Sequence, residues 1–89
     1  MSDDRETLLE FPCRFPVKAF GRQGEDFETV VHDLLKPHVP ELTHADLSRR
    51  ESSGGRFVSV TAHITAQSQA QLDAIYAALT ASDDIVMAL

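Results

Sequence analysis

Residues 57–66, FVSVTAHITA, alternate without a break between two kinds of side chain. Val58, Val60, Ala62 and Ile64 make an apolar face, and Phe57, Ser59, Thr61, His63 and Thr65 make a mixed one. A period of two marks a strand with one side on a core and the other toward solvent. Strands of this kind belong to antiparallel sheets, since parallel sheets are covered on both sides and read as continuous apolar runs. The cover for the Val58 face must come from the rest of a short chain. Eighty-nine residues make one small domain, which removes only roughly 60–65% of its unfolded surface from water.

The other segments divide into strands and helices. Phe15, Val17 and Ala19 alternate with Pro16, Lys18 and Phe20, which predicts a strand ended by Gly21. Pro16 within it implies that no neighbour needs its missing N–H. Glu25 and Asp26 then open a helix, with acidic groups placed to complement its dipole. Phe27, Val30, Val31, Leu34 and Leu35 form its apolar stripe, and Pro37 bars its continuation. In residues 42–50, Leu42, Thr43, Ala45 and Leu47 permit a strand, and Ser52-Ser53-Gly54-Gly55 reads as the hairpin loop that follows. Ser68 to Gln71 has the spacing of a capping box, ahead of a second stripe of Leu72, Ile75, Tyr76 and Leu79. Asp83 and Asp84 end that helix, and Ile85–Leu89 reads as a final strand.

The order is β-α-β-β-α-β. Two amphipathic helices cover only one side of a four-stranded sheet, so the compact arrangement is an α+β ferredoxin-like sandwich with strand order 4-1-3-2. The predicted core is Phe15, Val17, Val30, Val31, Leu34, Val58, Val60, Ile64, Leu72, Ile75, Leu79 and Met87. Residues 1–10 read as a loose acidic arm, whose Leu8 and Leu9, with Phe11, dock on a single domain spanning 11–89.

Composition removes several function classes. Lys and Arg number 8 against 14 Asp and Glu, a net charge of −6, and residues 57–89 carry no Lys or Arg. Nucleic-acid binding needs concentrated cations to displace phosphate counterions, so it is not expected here. No apolar run approaches the roughly 18–20 residues of a membrane span. The opening residues are acidic, unlike a secretory leader, and a cytoplasmic setting follows by default. Cys13 stands alone, without a disulfide partner or a thiolate metal set. His32, His38, His44 and His63 show no ligand spacing, so neither a metal nor another cofactor is expected. No nucleophile elbow or phosphate loop appears, and the chain reads as a non-enzyme. The β-α-β-β-α-β order is shared with RNA-recognition domains, but Arg56-Phe57-Val58-Ser59-Val60 keeps one stacking aromatic and puts Val60 where a second is wanted.

What remains is the uncovered side of the sheet. Alternation assigns to it Lys18, Phe20, Phe57, Ser59, Thr61, His63 and Val86. Arg49, Arg50 and Arg56 crowd the adjoining hairpin, where the Gly54-Gly55 backbone offers N–H donors to an anion. The candidate ligand or partner surface is therefore Lys18, Phe20, Arg49, Arg50, Gly54, Gly55, Arg56, Phe57 and His63.

Leu9-Glu10-Phe11-Pro12, Phe15, Lys18 and Gly21 resemble the opening of the YbeD-like bacterial family. Ser52-Ser53, Gly55, Phe57 and Ser59-Val60 continue the resemblance, and Gln71, Tyr76, Leu79 and Ile85–Leu89 complete it over residues 8–89. The resemblance implies a ferredoxin-like fold similar to the ACT-type regulatory domains of amino-acid metabolism. It also implies a tie to lipoate metabolism, and no catalytic residues. The chain departs from the family pattern at Phe57, where Tyr is usual, and at Gly54, where Lys occurs; Cys13 lies outside the pattern. The resulting expectation is a regulatory or binding module that forms a weak homodimer or meets a protein partner through its open sheet. A sensor of small amino-acid-type ligands is the alternative.

Overall fold

A computed structural model describes residues 10–22, 24, 26–52 and 54–89. The sequence of elements is β1 (Cys13–Arg22), α1 (Phe27–Leu35), a 3-10 turn (His44–Asp46), β2 (Leu47–Glu51), β3 (Phe57–Ala66), α2 (Gln69–Ala81) and β4 (Met87–Ala88). The sheet order is β2-β3-β1-β4, with every pairing antiparallel, as the sequence predicts. The proposed arm at 1–10 lies, except for Glu10, outside the described residues, and Leu8 and Leu9 with it. Phe11 is half-buried and packs against the core.

β1 and β3 pair over their whole lengths, from Cys13 opposite Ala66 to Arg22 opposite Phe57. This register puts Val17 and Ala19 beside Ala62 and Val60 on one face and sends Lys18 and Phe20 to the other. β4 is a short outer rung: Ala19 faces Ala88, Phe20 faces Met87, and Leu89 exchanges two backbone bonds with Lys18. The N–H of Lys18 and the C=O of Phe20 both turn toward that side, so Pro16 would turn its missing donor the same way. No described strand lies there to need it, which explains how a proline sits inside a central strand.

The helices cover one face. α1 buries Phe27, Val31 and Leu35, four residues apart, and α2 buries Leu72, Ile75 and Leu79. The Ser68 hydroxyl accepts the N–H of Gln71, as the capping spacing predicts. The return bond differs from a capping box, because the Gln71 side-chain Oε1 accepts the N–H of Gln67 rather than that of Ser68. The same side chain donates to the carbonyl of His38 at 2.8 Å and so ties the two helical units together.

The core list needs correction. Phe15, Val30 and Leu34 are only half-buried, and Met87 is 49% exposed. Val39 and Leu42, in the irregular segment after α1, are buried, with Lys36 donating to the Leu42 carbonyl to hold the turn. Residues 42–46 are not strand: a 3-10 turn occupies 44–46, and its Asp46 carboxylate accepts both the N–H and the hydroxyl of Thr43. These bonds hold the Asp46 carboxyl below its ordinary pKa of 3.8, with Arg14 and His63 adding attraction.

Candidate functional site

The face opposite the helices has no cover among the described residues, and the register fixes what stands on it. One row across the sheet reads Arg50, Ser59, Phe20, Met87, and the next reads Ser48, Thr61, Lys18, Leu89. Beyond these, His63 pairs with Pro16 and Thr65 with Arg14. At the other end, toward the hairpin, Phe57 pairs with Arg22. A column of hydroxyls thus runs down the middle of the face, with Arg50 on one side and Lys18 on the other. The apolar side chains Phe20, Met87 and Leu89 gather along the β4 edge. Between these groups lies a shallow hollow of about 580 Å³ lined by Pro16, Lys18, Phe20, Ser48, Arg49, Arg50, Ser59, Thr61 and His63. A smaller one of about 150 Å³ adjoins it at Phe20, Arg50, Glu51, Phe57 and Ser59.

Local bonds stiffen parts of this surface. The Arg14 guanidinium donates to the Thr65 hydroxyl at 2.9 Å and to the His63 carbonyl at 3.2 Å, so it lies flat along β3. The Ser59 hydroxyl donates to the Arg50 carbonyl at 3.4 Å. No described carboxylate pairs with Lys18 or Arg50. The grouping offers charge, hydroxyls and a concave shape for recognition.

Of the residues expected on this surface, Lys18, Phe20, Arg50, Phe57 and His63 meet there. Arg49 does not. It sits one residue out of phase with Arg50, on the helix side, where it donates to the Gly24 carbonyl at 3.1 Å and to Glu51, and lies 4.0 Å from Glu28. Its charge is thereby committed to holding the hairpin against the start of α1. Gly54, Gly55 and Arg56 are exposed in the turn beyond the sheet. Gly55 has φ +72°, which glycine adopts without strain, and its N–H is already given to the Ser52 carbonyl, so it is not a free anion donor. Val86 is also misplaced. The chain bends there after the buried Ile85, so Met87, not Val86, comes to lie beside Phe20.

Three site residues escaped the sequence reading. Arg14 shares the parity of Lys18 and was legible on that ground; Met87 and Leu89 depend on the bend at Val86, for which the sequence carries no signal. Elsewhere, His32 and His44 stack with ring centroids 4.3 Å apart, and His32 Nδ1 lies 3.2 Å from Asp33. Stacked rings do not converge their nitrogens on one point, and among the described residues no three metal-binding side chains cluster. Cys13 is half-buried against the core. A further hollow of about 360 Å³ opens near α1, with Asp26 and Asp84 on its border. No helix among the described residues is long and apolar enough to cross a membrane.

Comparison with known proteins places this architecture. The family model described as "Protein of unknown function (DUF493)" matches residues 6–89. A UPF0250 protein of Chromobacterium violaceum is 45% identical over 89 residues, covering all of both chains. One from Ectopseudomonas mendocina is 40% identical, covering 99% of this chain and 97% of its own. The solution structure of protein HP0495 from H. pylori matches with a TM-score of 0.73 at 16% identity, over 100% of this chain and 93% of that one, which shows a shared fold.

Proposed function

The chain belongs to the DUF493 family, the UPF0250 or YbeD-like proteins of unknown function, and on that premise we propose that it is a non-enzymatic binding module that docks a protein partner on its open sheet face. The observation that carries this reading is the uncovered face itself. Phe57, Met87 and Leu89 are 43%, 49% and 61% exposed, in a domain whose remaining large apolar side chains are mostly buried. An apolar group rimmed by polar side chains is the usual mark of a contact surface. The regulatory role, the cytoplasmic setting and the tie to lipoate metabolism are what the family resemblance adds to this reading.

Affinity capture from the protein's own cytosol tests it, comparing the wild-type chain with Thr61→Arg. Thr61 stands in the middle of the hollow, and a long side chain there fills it while keeping the positive charge. Proteins retained by the wild type and lost by a normally folded Thr61→Arg variant are expected. Identical retained sets would place docking elsewhere.

The hollow also supports a second reading, as a sensor of small carboxylate ligands held by Lys18, Arg50 and His63. Amide spectra titrated with amino acids and lipoate decide it. Shifts confined to these residues support a sensor, and unchanged spectra end that reading.

A further inference from the structure

Charge on this chain is segregated by face. The whole chain carries −6, yet the strand positions of the open face hold Arg14, Lys18, Arg50 and His63, while the described carboxylates nearest them, Glu41, Asp46 and Glu51, stand at its edges. Asp46, at the corner by Arg14 and His63, is engaged with Thr43. Glu51, on the border beside Arg50, accepts from Arg49, and Glu28, Asp33 and Asp73 belong to the helices. We infer that the occupant of the open face is an acidic amphipathic helix of a partner protein, its apolar stripe on Phe20, Met87 and Leu89 and its carboxylates over Lys18 and Arg50. This rests on the docking reading above and names the chemistry of the partner.

Three physical arguments select this occupant. Lys18 and Arg50 have no described salt-bridge partner and face a hollow, so an acidic segment gains Coulomb attraction without breaking an existing described pair. The sheet has the dimensions for it: three strand spacings of roughly 4.8 Å give about 14 Å between outer strands, against a helix diameter of about 10–12 Å. A second copy stacked face to face would bring Lys18 and Arg50 against the same cationic surface, whose bordering Asp46 and Glu51 are already engaged within their own chain. Single-stranded RNA fits less well: Phe20 and Phe57 supply rings, but Val60 is buried on the helix side and residues 57–89 carry no Lys or Arg to follow a phosphate backbone.

The test uses the full chain and two synthetic amphipathic helices with the same leucine stripe, one carrying glutamates and the other lysines. Amide spectra are recorded at low salt and at about 0.5 M salt, where exposed charges are screened within a few ångströms. The glutamate helix is expected to shift Lys18, Phe20, Arg50, Ser59, Thr61 and Met87. Salt, or the double variant Lys18→Glu/Arg50→Glu, is expected to weaken it by about tenfold or more. Any of four results overturns the inference: no binding of the glutamate helix, equal binding of the lysine helix, shifts confined to α1 and α2, or undiminished binding by the double variant. A wild-type dimer broken by the same variant in sedimentation gives the face to a second copy. Displacement of the glutamate helix by oligouridine gives it to RNA. Either outcome also overturns the inference. Should the glutamate helix fail while Thr61→Arg still loses captured proteins, the charge argument falls and the docking reading stands.

Discussion

Gly21 has the tightest surroundings of the described glycines. A Cβ built on it falls into the ring of Phe27 and lies 2.9 Å from the carbonyl oxygen of Asp84. The ring can turn, but the backbone carbonyl has less freedom, so Gly21→Ala is expected to destabilise the fold by about 1–3 kcal/mol in urea denaturation. Tyr76 offers a second check. Its hydroxyl donates to the Leu89 carbonyl at 2.7 Å, and burial raises its pKa above the ordinary 10.0. The neutral phenol is therefore the form that the fold favours. Its contribution is complete below pH 10.0 and is lost as pH rises through the higher folded-state value. As the chain has one Tyr, near-ultraviolet absorbance should show a single tyrosinate transition displaced upward. Tyr76→Phe should remove that alkaline loss and cost about 1 kcal/mol or less at neutral pH.

The start of α2 is held at the scale of an element. Ser68 bonds Gln71, and Gln71 bonds both Gln67 and His38. Ser68→Ala is expected to cost about 1 kcal/mol, because it leaves one orphan N–H of the first turn without its partner. Gln71→Ala keeps the backbone N–H that Ser68 accepts but should cost more, since it removes both side-chain bonds, from the Gln67 N–H and to the His38 carbonyl. Unfolding curves of the two single variants measure both effects, Ser68→Ala through the backbone cap and Gln71→Ala through the side-chain bonds. β4 shows the limit of pattern reading at this scale. Ile85–Leu89 is apolar throughout, so alternation carries no phase there. Packing of Ile85 and the bend at Val86 decide that Met87 faces outward with Phe20.

Across the whole molecule, the helices bury one face of the sheet and leave the cations together on the other. Lys18→Glu/Arg50→Glu should therefore leave thermal stability close to wild type, within about 0.5 kcal/mol, because no described ion pair is broken. A large loss in a melting experiment would mean that these side chains serve the fold rather than a partner. The sequence by itself determined the strand order, the helix stripes and one uncovered face, because periods of two and near four report which side of each element meets the core. It could place Lys18, Phe20, Phe57 and His63 together because each lies in a strand of clear phase. Tertiary structure alone decided the rest. Arg49 and Arg50 are neighbours in the chain, but the pleat sends one to α1 and the other to the open face. Val39 and Leu42 enter the core from an irregular segment that has no period to read. A period is a local property of the chain, whereas the parting of adjacent charges and the burial of a loop depend on which surfaces meet across the fold.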